Sequence, residues 1–166
     1  MKVFYQEMPS PIGKLTLVSD ASALTHVHMD CGEFSLPAGA KKGHAVLGDT
    51  RRQLEEYFAG KRVEFNLPMA AQGTEFQRQV WAALYEIPFA ETRSYIEIAR
   101  AIGKPKGPRA VGMANGRNPI GIIVPCHRVI GANGTLTGYG GGLERKQWLL
   151  DHEREVAKRL SRANVS

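Results

Sequence analysis

Residues 74–116 carry their own helix boundaries, and this stretch constrains the fold more tightly than any other part of the chain. Thr74 followed three residues later by Gln77 is a capping box, in which each side chain satisfies the other's backbone amide at a helix start. Phe76, Val80, Trp81 and Leu84 then recur at helical spacing until Pro88 ends the run. Ser94 and Glu97 repeat the box and open a helix with Ile98, Ala99 and Ile102, which Gly103 ends. After Lys104-Pro105-Lys106-Gly107, Pro108 suits the first position of a further helix reaching Asn115. Two short helices joined by a tight glycine-containing turn make a helix-turn-helix.

Charge points the same way. The net +6 lies wholly in the second part of the chain: residues 1–71 balance eight basic against eight acidic groups, and residues 72–166 carry fourteen against eight. Residues 98–143 contain no Asp or Glu but hold Arg100, Lys104, Lys106, Arg109, Arg117 and Arg128, a density suited to a polyanion such as nucleic acid. A solvated basic face without a partner has the same composition. The second helix places Ala110, Gly112 and Ala114 where larger residues would stabilise it better, and close approach of a partner would explain that choice.

The first half reads as a small α+β unit. β-prone runs at 2–6, 15–18 and 24–29 are separated by Pro9, Pro11, Gly13 and Asp20, which suggests a meander. Residues 34–48 read as a loop, and Asp49 as the cap of a helix whose Leu54, Tyr57 and Phe58 share a face before Gly60. His26, His28, Cys31 and His44 have no recognised zinc-site spacing, so no metal is assigned. Pro68 and Gly73 flank a connector, and the expected domains are 1–70 and 71–166. No apolar run, residues 122–124 included, comes near the length needed to span a bilayer, and the N-terminus does not read as a secretory signal. A cytoplasmic protein without a disulfide framework is expected.

Chemistry gathers after Asn118-Pro119. Residues 120–124 read as a short buried strand that ends at Pro125 and delivers Cys126-His127-Arg128. A thiol becomes reactive when a base or a positive charge depresses its pKa, and His127, Arg128 and the acid-free surroundings push in that direction. A glycine-rich loop follows at 131–142, then a helix over 143–160 that buries Leu149, Val156 and Leu160. Glu153 lies on that same apolar face, and a buried carboxylate needs a donor. Cys126, His127 and Glu153 thus form a nucleophile, base and orienter set. Adjacent residues of an extended chain point to opposite sides, so a water is expected to bridge Cys126 and His127.

Pro125-Cys126-His127-Arg128-Val129-Ile130, with Asn118-Pro119 before it and Gly138-Tyr139 and a glycine-rich turn after it, resembles the signature of the O6-alkylguanine-DNA alkyltransferases. The likeness runs from Gly73 to Glu153 and includes Arg109-Ala110-Val111-Gly112; the size is similar to that of the short bacterial members without a fused regulatory domain. It implies an α+β protein with a ribonuclease H-like N-terminal domain and a C-terminal winged helix-turn-helix-like domain. The implied activity is direct-reversal DNA repair, with one alkyl group moved from O6-alkylguanine or O4-alkylthymine to the protein's own cysteine. No cofactor is implied.

The resemblance also implies roles. Cys126, His127 and Glu153 perform the transfer, Tyr95 rotates the nucleotide and protonates guanine N3, and Asn118 braces the two motifs. The carbonyls of Cys126 and Val129, the amide of Gly140, and Tyr139 contact the base. Arg109 fills the stack after the base is flipped out, and Ala110, Gly112, Ala114 and Arg128 contact the minor groove of duplex DNA, bound by a monomer that clusters on the duplex. Gly140 stands where some members carry Ser, so the hydroxyl contact is missing and only the amide remains, and Gly121 stands where some carry Pro, which opens the wall of the alkyl pocket. Two other readings fit part of the pattern. A winged-helix DNA binder without chemistry leaves the Cys-His pair and Glu153 unexplained, and a cysteine hydrolase leaves the basic stretch unexplained.

Overall fold

In the computed structural model, which describes residues 2–30, 34–136, 139 and 141–163, the chain divides into two compact units. The first comprises residues 1–73 and 119–123, and the second residues 74–118 and 124–166. Among the described residues no helix is long and apolar enough to cross a membrane.

In the first unit, β1 (Phe4–Met8), β2 (Leu15–Ser19) and β3 (Leu24–Met29) form the meander, each strand antiparallel to the next. Residues 34–48 are not all loop. Lys41–Lys42 make a short strand, β4, parallel to β1, and the sheet order is β3-β2-β1-β4. Helix α1 (Ala45–Phe58) begins four residues before the expected Asp49 cap; His44 caps it instead, its Nδ1 accepting from the Val46 amide at 3.2 Å. Asp49 pairs with Arg52 on the helix surface. Leu15, Leu17, Leu47, Leu54 and Tyr57 are completely buried, so strand alternation and helical periodicity meet in one core. Residues 119–123 join this unit through a bridge from Ile120 to Val27. They form no strand: Ile120 makes that single bridge and the chain then turns, with Ile122 held at φ 71°. An isolated run of apolar residues carries no strand period, so its burial is legible in the sequence and its conformation is not.

The second unit opens with α2 (Glu75–Tyr85), capped by Thr74 and Gln77 in both directions. Arg93–Ser94 form β5, and Ser94 with Glu97 completes the second capping box at the start of α3 (Tyr95–Ala101). Gly103, at φ +74°, takes the left-handed conformation that lets the chain leave α3. Helix α4 (Pro108–Gly116) follows with Pro108 in its first turn. The Trp81 indole donates to the Ala114 carbonyl at 2.9 Å and ties α2 to α4. After a 3-10 turn at Cys126–Arg128, β6 (Val129–Ile130) pairs parallel with β5. The last helix, α5 (Leu143–Ala163), buries Lys146, Leu149, Leu150, Glu153 and Val156 along one stripe. Leu160, expected in that stripe, is 41% exposed, because α5 has by then run past the packed part of its own unit.

Candidate active site

Cys126, His127 and Glu153 meet within the second unit, 7%, 0% and 0% exposed. The segment leading to Cys126 is tightly wound: the Cys126 amide donates to the Val124 carbonyl at 2.8 Å, and Asn118 Nδ2 donates to that same carbonyl at 2.8 Å. Asn118 therefore braces the entrance to the 3-10 turn, and its side chain also hydrogen-bonds the Cys126 thiol. Asn115, which sequence reasoning passed over, donates from Nδ2 to the Cys126 carbonyl at 3.3 Å. The turn conformation replaces the extended one expected for Cys126-His127-Arg128.

His127 Nε2 and Glu153 Oε2 lie 2.7 Å apart. The other ring nitrogen, Nδ1, is buried and makes no protein hydrogen bond among the described residues. Burial pushes the His127 pKa down against the pull of Glu153, so the imidazole is neutral and its proton sits on the nitrogen facing the carboxylate. Burial alone would raise Glu153; the bonds from His127 and Arg128 outweigh it and hold the carboxyl far below the usual carboxylate range. The Ala90 amide donates a further bond to Glu153 Oε1 at 3.2 Å, from a backbone held at φ 66°. Such strain in a residue with a side chain costs about 1–3 kcal/mol and persists where its surroundings enforce it.

Arg128 is a correction to the sequence reading. Expected at the DNA surface, it is only 6% exposed. Its Nε and Nη2 bind the two Glu153 oxygens at 2.8 and 3.0 Å, its Nη1 donates to the Ile87 carbonyl at 2.7 Å, and its guanidinium lies over the Phe89 ring. A guanidinium fork fits a carboxylate better than it fits open solvent once both are buried.

The thiol also departs from expectation. Burial pushes Cys126 up, not down, and the groups that oppose this are Asn118, Lys146 and Tyr139. Arg128 is not among them; its guanidinium is turned to Glu153. Lys146 escaped sequence reasoning altogether. It is fully buried, and its Nζ donates to the Val129 carbonyl at 2.6 Å. The signal was available: Lys146 lies three residues before Leu149 and seven before Glu153, on the face already read as buried.

On the α3–α4 surface, Arg109 and Ala110 are exposed, as are Arg100, Lys104, Lys106 and Arg117. Met113, at 61% exposure, is the largest apolar group that α4 presents outward. Ala114 does not share this face: it is 3% exposed and packs inside the unit. Gly112 lies under the half-buried Tyr95, whose Cε1 a Cβ there would meet at 3.7 Å. The small residues of α4 thus answer to three environments, and of the three Ala110 is the one placed to meet a partner closely. Gly121 packs against Met29 and the Val27 carbonyl. Gly138, Gly140 and Cys31 lie outside the described residues. His26 and His28 pack on the Phe34 ring, and among the described residues no three His, Cys, Asp or Glu side chains gather to hold a metal ion.

Residues 75–155 match the family model described as "6-O-methylguanine DNA methyltransferase, DNA binding domain", and residues 3–71 match its "ribonuclease-like domain". The chain is 50% identical over 153 residues to the methylated-DNA--protein-cysteine methyltransferase of Methanosarcina acetivorans, covering 91% of this chain and 98% of that one. It is 51% identical over 157 residues to the protein of that name from Mycobacterium tuberculosis, covering 93% and 94%. Among solved structures it is similar to Mycobacterium tuberculosis OGT in complex with DNA, with a TM-score of 0.86 and 50% identity over 92% of this chain and 94% of that one.

Proposed function

The chain belongs to the 6-O-methylguanine DNA methyltransferases, and on that premise we propose that Cys126 takes the alkyl group from O6-alkylguanine, and from O4-alkylthymine, in duplex DNA. The observation that carries this reading is the buried 2.7 Å bond between His127 and an ionised Glu153 directly beside the nucleophile.

The cysteine proton leaves through a water to His127 Nδ1, the buried nitrogen that requires a polar partner. Glu153 then balances the imidazolium that forms, as the orienting acid does in other nucleophile-and-base pairs. The thiolate attacks the alkyl carbon in line; the sulfur–carbon bond forms as the carbon–O6 bond breaks. The electron pair returns to the guanine ring, which takes a proton at N3 from Tyr95. Tyr139 is among the groups that oppose the upward push of burial on the thiol. The carbonyls of Cys126 and Val129 and the amide of Gly140 hold the base. The thioether does not hydrolyse, so each molecule acts once and needs no cofactor.

A base inside a duplex is out of reach of a buried thiol, so it must be flipped out, which costs a few kcal/mol and least for a mispaired lesion. Arg109, exposed at the start of α4, fills the vacated stack. Ala110 allows α4 to approach the minor groove, and Arg100, Lys104, Lys106 and Arg117 supply phosphate contacts. The protein binds as a monomer that clusters on the duplex and acts in the cytoplasm, with residues 1–70 and 71–166 as its functional domains.

The test is to incubate the protein with duplex DNA carrying O6-methylguanine and locate the label by peptide mass. One methyl group on the peptide containing Cys126, with guanine restored, is the expected result. Multiple turnover, or label on Cys31, overturns the mechanism. A binding protein without chemistry would leave both DNA and protein unchanged.

A further inference from the structure

The exposed face of α4 has a centre that alkyl transfer does not use. Arg109, Ala110, Met113, Gly116 and Arg117 are exposed, while Val111, Ala114 and Asn115 are buried, so the outward residues form one continuous helical stripe. Met113 stands in its middle, one turn after Arg109 and one turn before Arg117. At 61% it is the most exposed large apolar side chain among the described residues. Single apolar groups are ordinary on a protein surface; what distinguishes Met113 is its company. The arginines at the two ends lie about 12 Å apart along the helix axis, in a stretch, residues 98–143, without an acidic residue. Gly116, on the same face, is small for no internal reason: a Cβ there would meet nothing within 4 Å, and its φ is not left-handed. Glycine in a helix costs stability relative to alanine, so the missing side chain serves a surface that approaches from outside.

The minor groove of duplex DNA is about 6 Å wide, whereas a helix with its side chains is about 10–12 Å across. Ala110 and Gly116 let the backbone of α4 come close to such a groove, and Met113 projects beyond them from the middle of the stripe. An apolar side chain in that position either holds the helix off or enters between two base pairs and partly unstacks them. We propose that Met113 is an apolar wedge: it enters the minor groove one turn along α4 from Arg109 and opens a base step beside the nucleotide that Arg109 displaces. This rests on the reading of α4 as the helix that meets the minor groove. Arg109 fills the vacated place and Arg117 meets phosphate; Met113 adds a contact that salt does not screen. A neighbouring step that is already loosened also lowers the cost of extrusion.

The probe is duplex DNA carrying O6-methylguanine, with the fluorescent base 2-aminopurine placed on either side of the lesion in turn, since its emission rises as it unstacks. Cys126→Ala protein holds the complex unreacted, and Met113 is varied in that background; surface substitutions of this kind change stability little. Met113→Ala should weaken binding about tenfold, the loss of one apolar side chain from a contact. The factor should be the same at low and high salt, because no counterion is released by a thioether. At saturating protein the emission should fall towards that of the free duplex on one side of the lesion, and Met113→Leu should restore both affinity and emission. Unchanged binding and emission in Met113→Ala overturn the proposal. So does weaker binding with unchanged emission, which would make Met113 a groove contact that opens no step. Failure of the Cys126→Ala parent to bind the duplex would refute the minor-groove reading of α4 and the wedge with it. Absence of methyl label on Cys126 in the native protein, with the fluorescence change intact, would instead refute the alkyl-acceptor reading and leave the wedge standing.

Discussion

Arg128 grips the Glu153 carboxylate with two parallel bonds, Nε to Oε1 at 2.8 Å and Nη2 to Oε2 at 3.0 Å, while His127 approaches Oε2 from the other side at 2.7 Å. One carboxylate therefore serves two neighbours from the same 3-10 turn. Its ionisation is held by His127 and Arg128 together, and it orients the imidazole in turn. The residue after the base is thus part of the relay's support, and the acid at the end of the relay cannot be perturbed without unpairing a buried guanidinium.

Truncating either partner leaves the other as an uncompensated buried charge. Arg128→Met and Glu153→Gln should each cost about 3–5 kcal/mol of stability, seen as a drop in urea midpoint. The double variant should recover most of that loss, since both charges are gone, yet remain deficient in methyl transfer because His127 has lost the negative charge that balances its imidazolium. If the double variant regains transfer together with stability, Glu153 acts on folding alone.

Acid should act on stability through Glu153 and His127, and on repair through His127. The folded-state pKa of Glu153 is depressed, so its contribution is present above the unfolded value of about 4.3 and is lost as pH falls towards the folded value. His127 is also depressed. The unfolded chain therefore binds its proton first, and stability declines as pH falls below about 6.5, down to the folded value. The acid limb of the transfer rate should lie below that same ordinary histidine value. Single-turnover rates against pH check this; a limb centred at or above it would mean that His127 is not the buried neutral base.

DNA contacts should divide along exposure. Arg117→Ala should weaken duplex binding and reduce its salt dependence by about one counterion, whereas Arg128 variants that fold should keep the wild-type salt slope. Arg109→Ala should slow repair of duplex DNA far more than reaction with free O6-methylguanine base, because only the duplex requires extrusion. Equal losses on both substrates would assign Arg109 to the pocket or to folding. Titrations over a range of salt, with parallel rates on the two substrates, supply the comparison.

The turn before the nucleophile should depend on one side chain. Asn118→Ala removes the bond to the Val124 carbonyl and the contact to the thiol, so about 1–3 kcal/mol of stability should be lost and the Cys126 titration should move up. Asn118→Asp keeps the size but cannot donate, and it places a negative charge beside the thiol, so its titration should move further in the same direction. Identical thiol titrations in all three proteins would show that Asn118 only braces the backbone.

Features that obey short-range rules could be read from the chain alone. The capping boxes at Thr74/Gln77 and Ser94/Glu97 act within four residues, so they are legible from spacing and are present as read. The three strands of the meander, Pro108 at a helix start and Glu153 on an apolar helical face are legible for the same reason. Packing, in contrast, set where charge comes to rest. The identity of Arg128 says nothing about whether it faces DNA or Glu153, twenty-five residues away. Likewise, Lys146 becomes part of the site only when α5 packs its stripe against the Cys126–Arg128 turn. The run at 120–124 was legible as apolar but not as a turn, because its geometry follows from long-range contacts to Val27 and from the Asn118 side chain. Burial and electrostatic pairing depend on which distant surfaces meet, and that information lies in the packed chain, not in any local window.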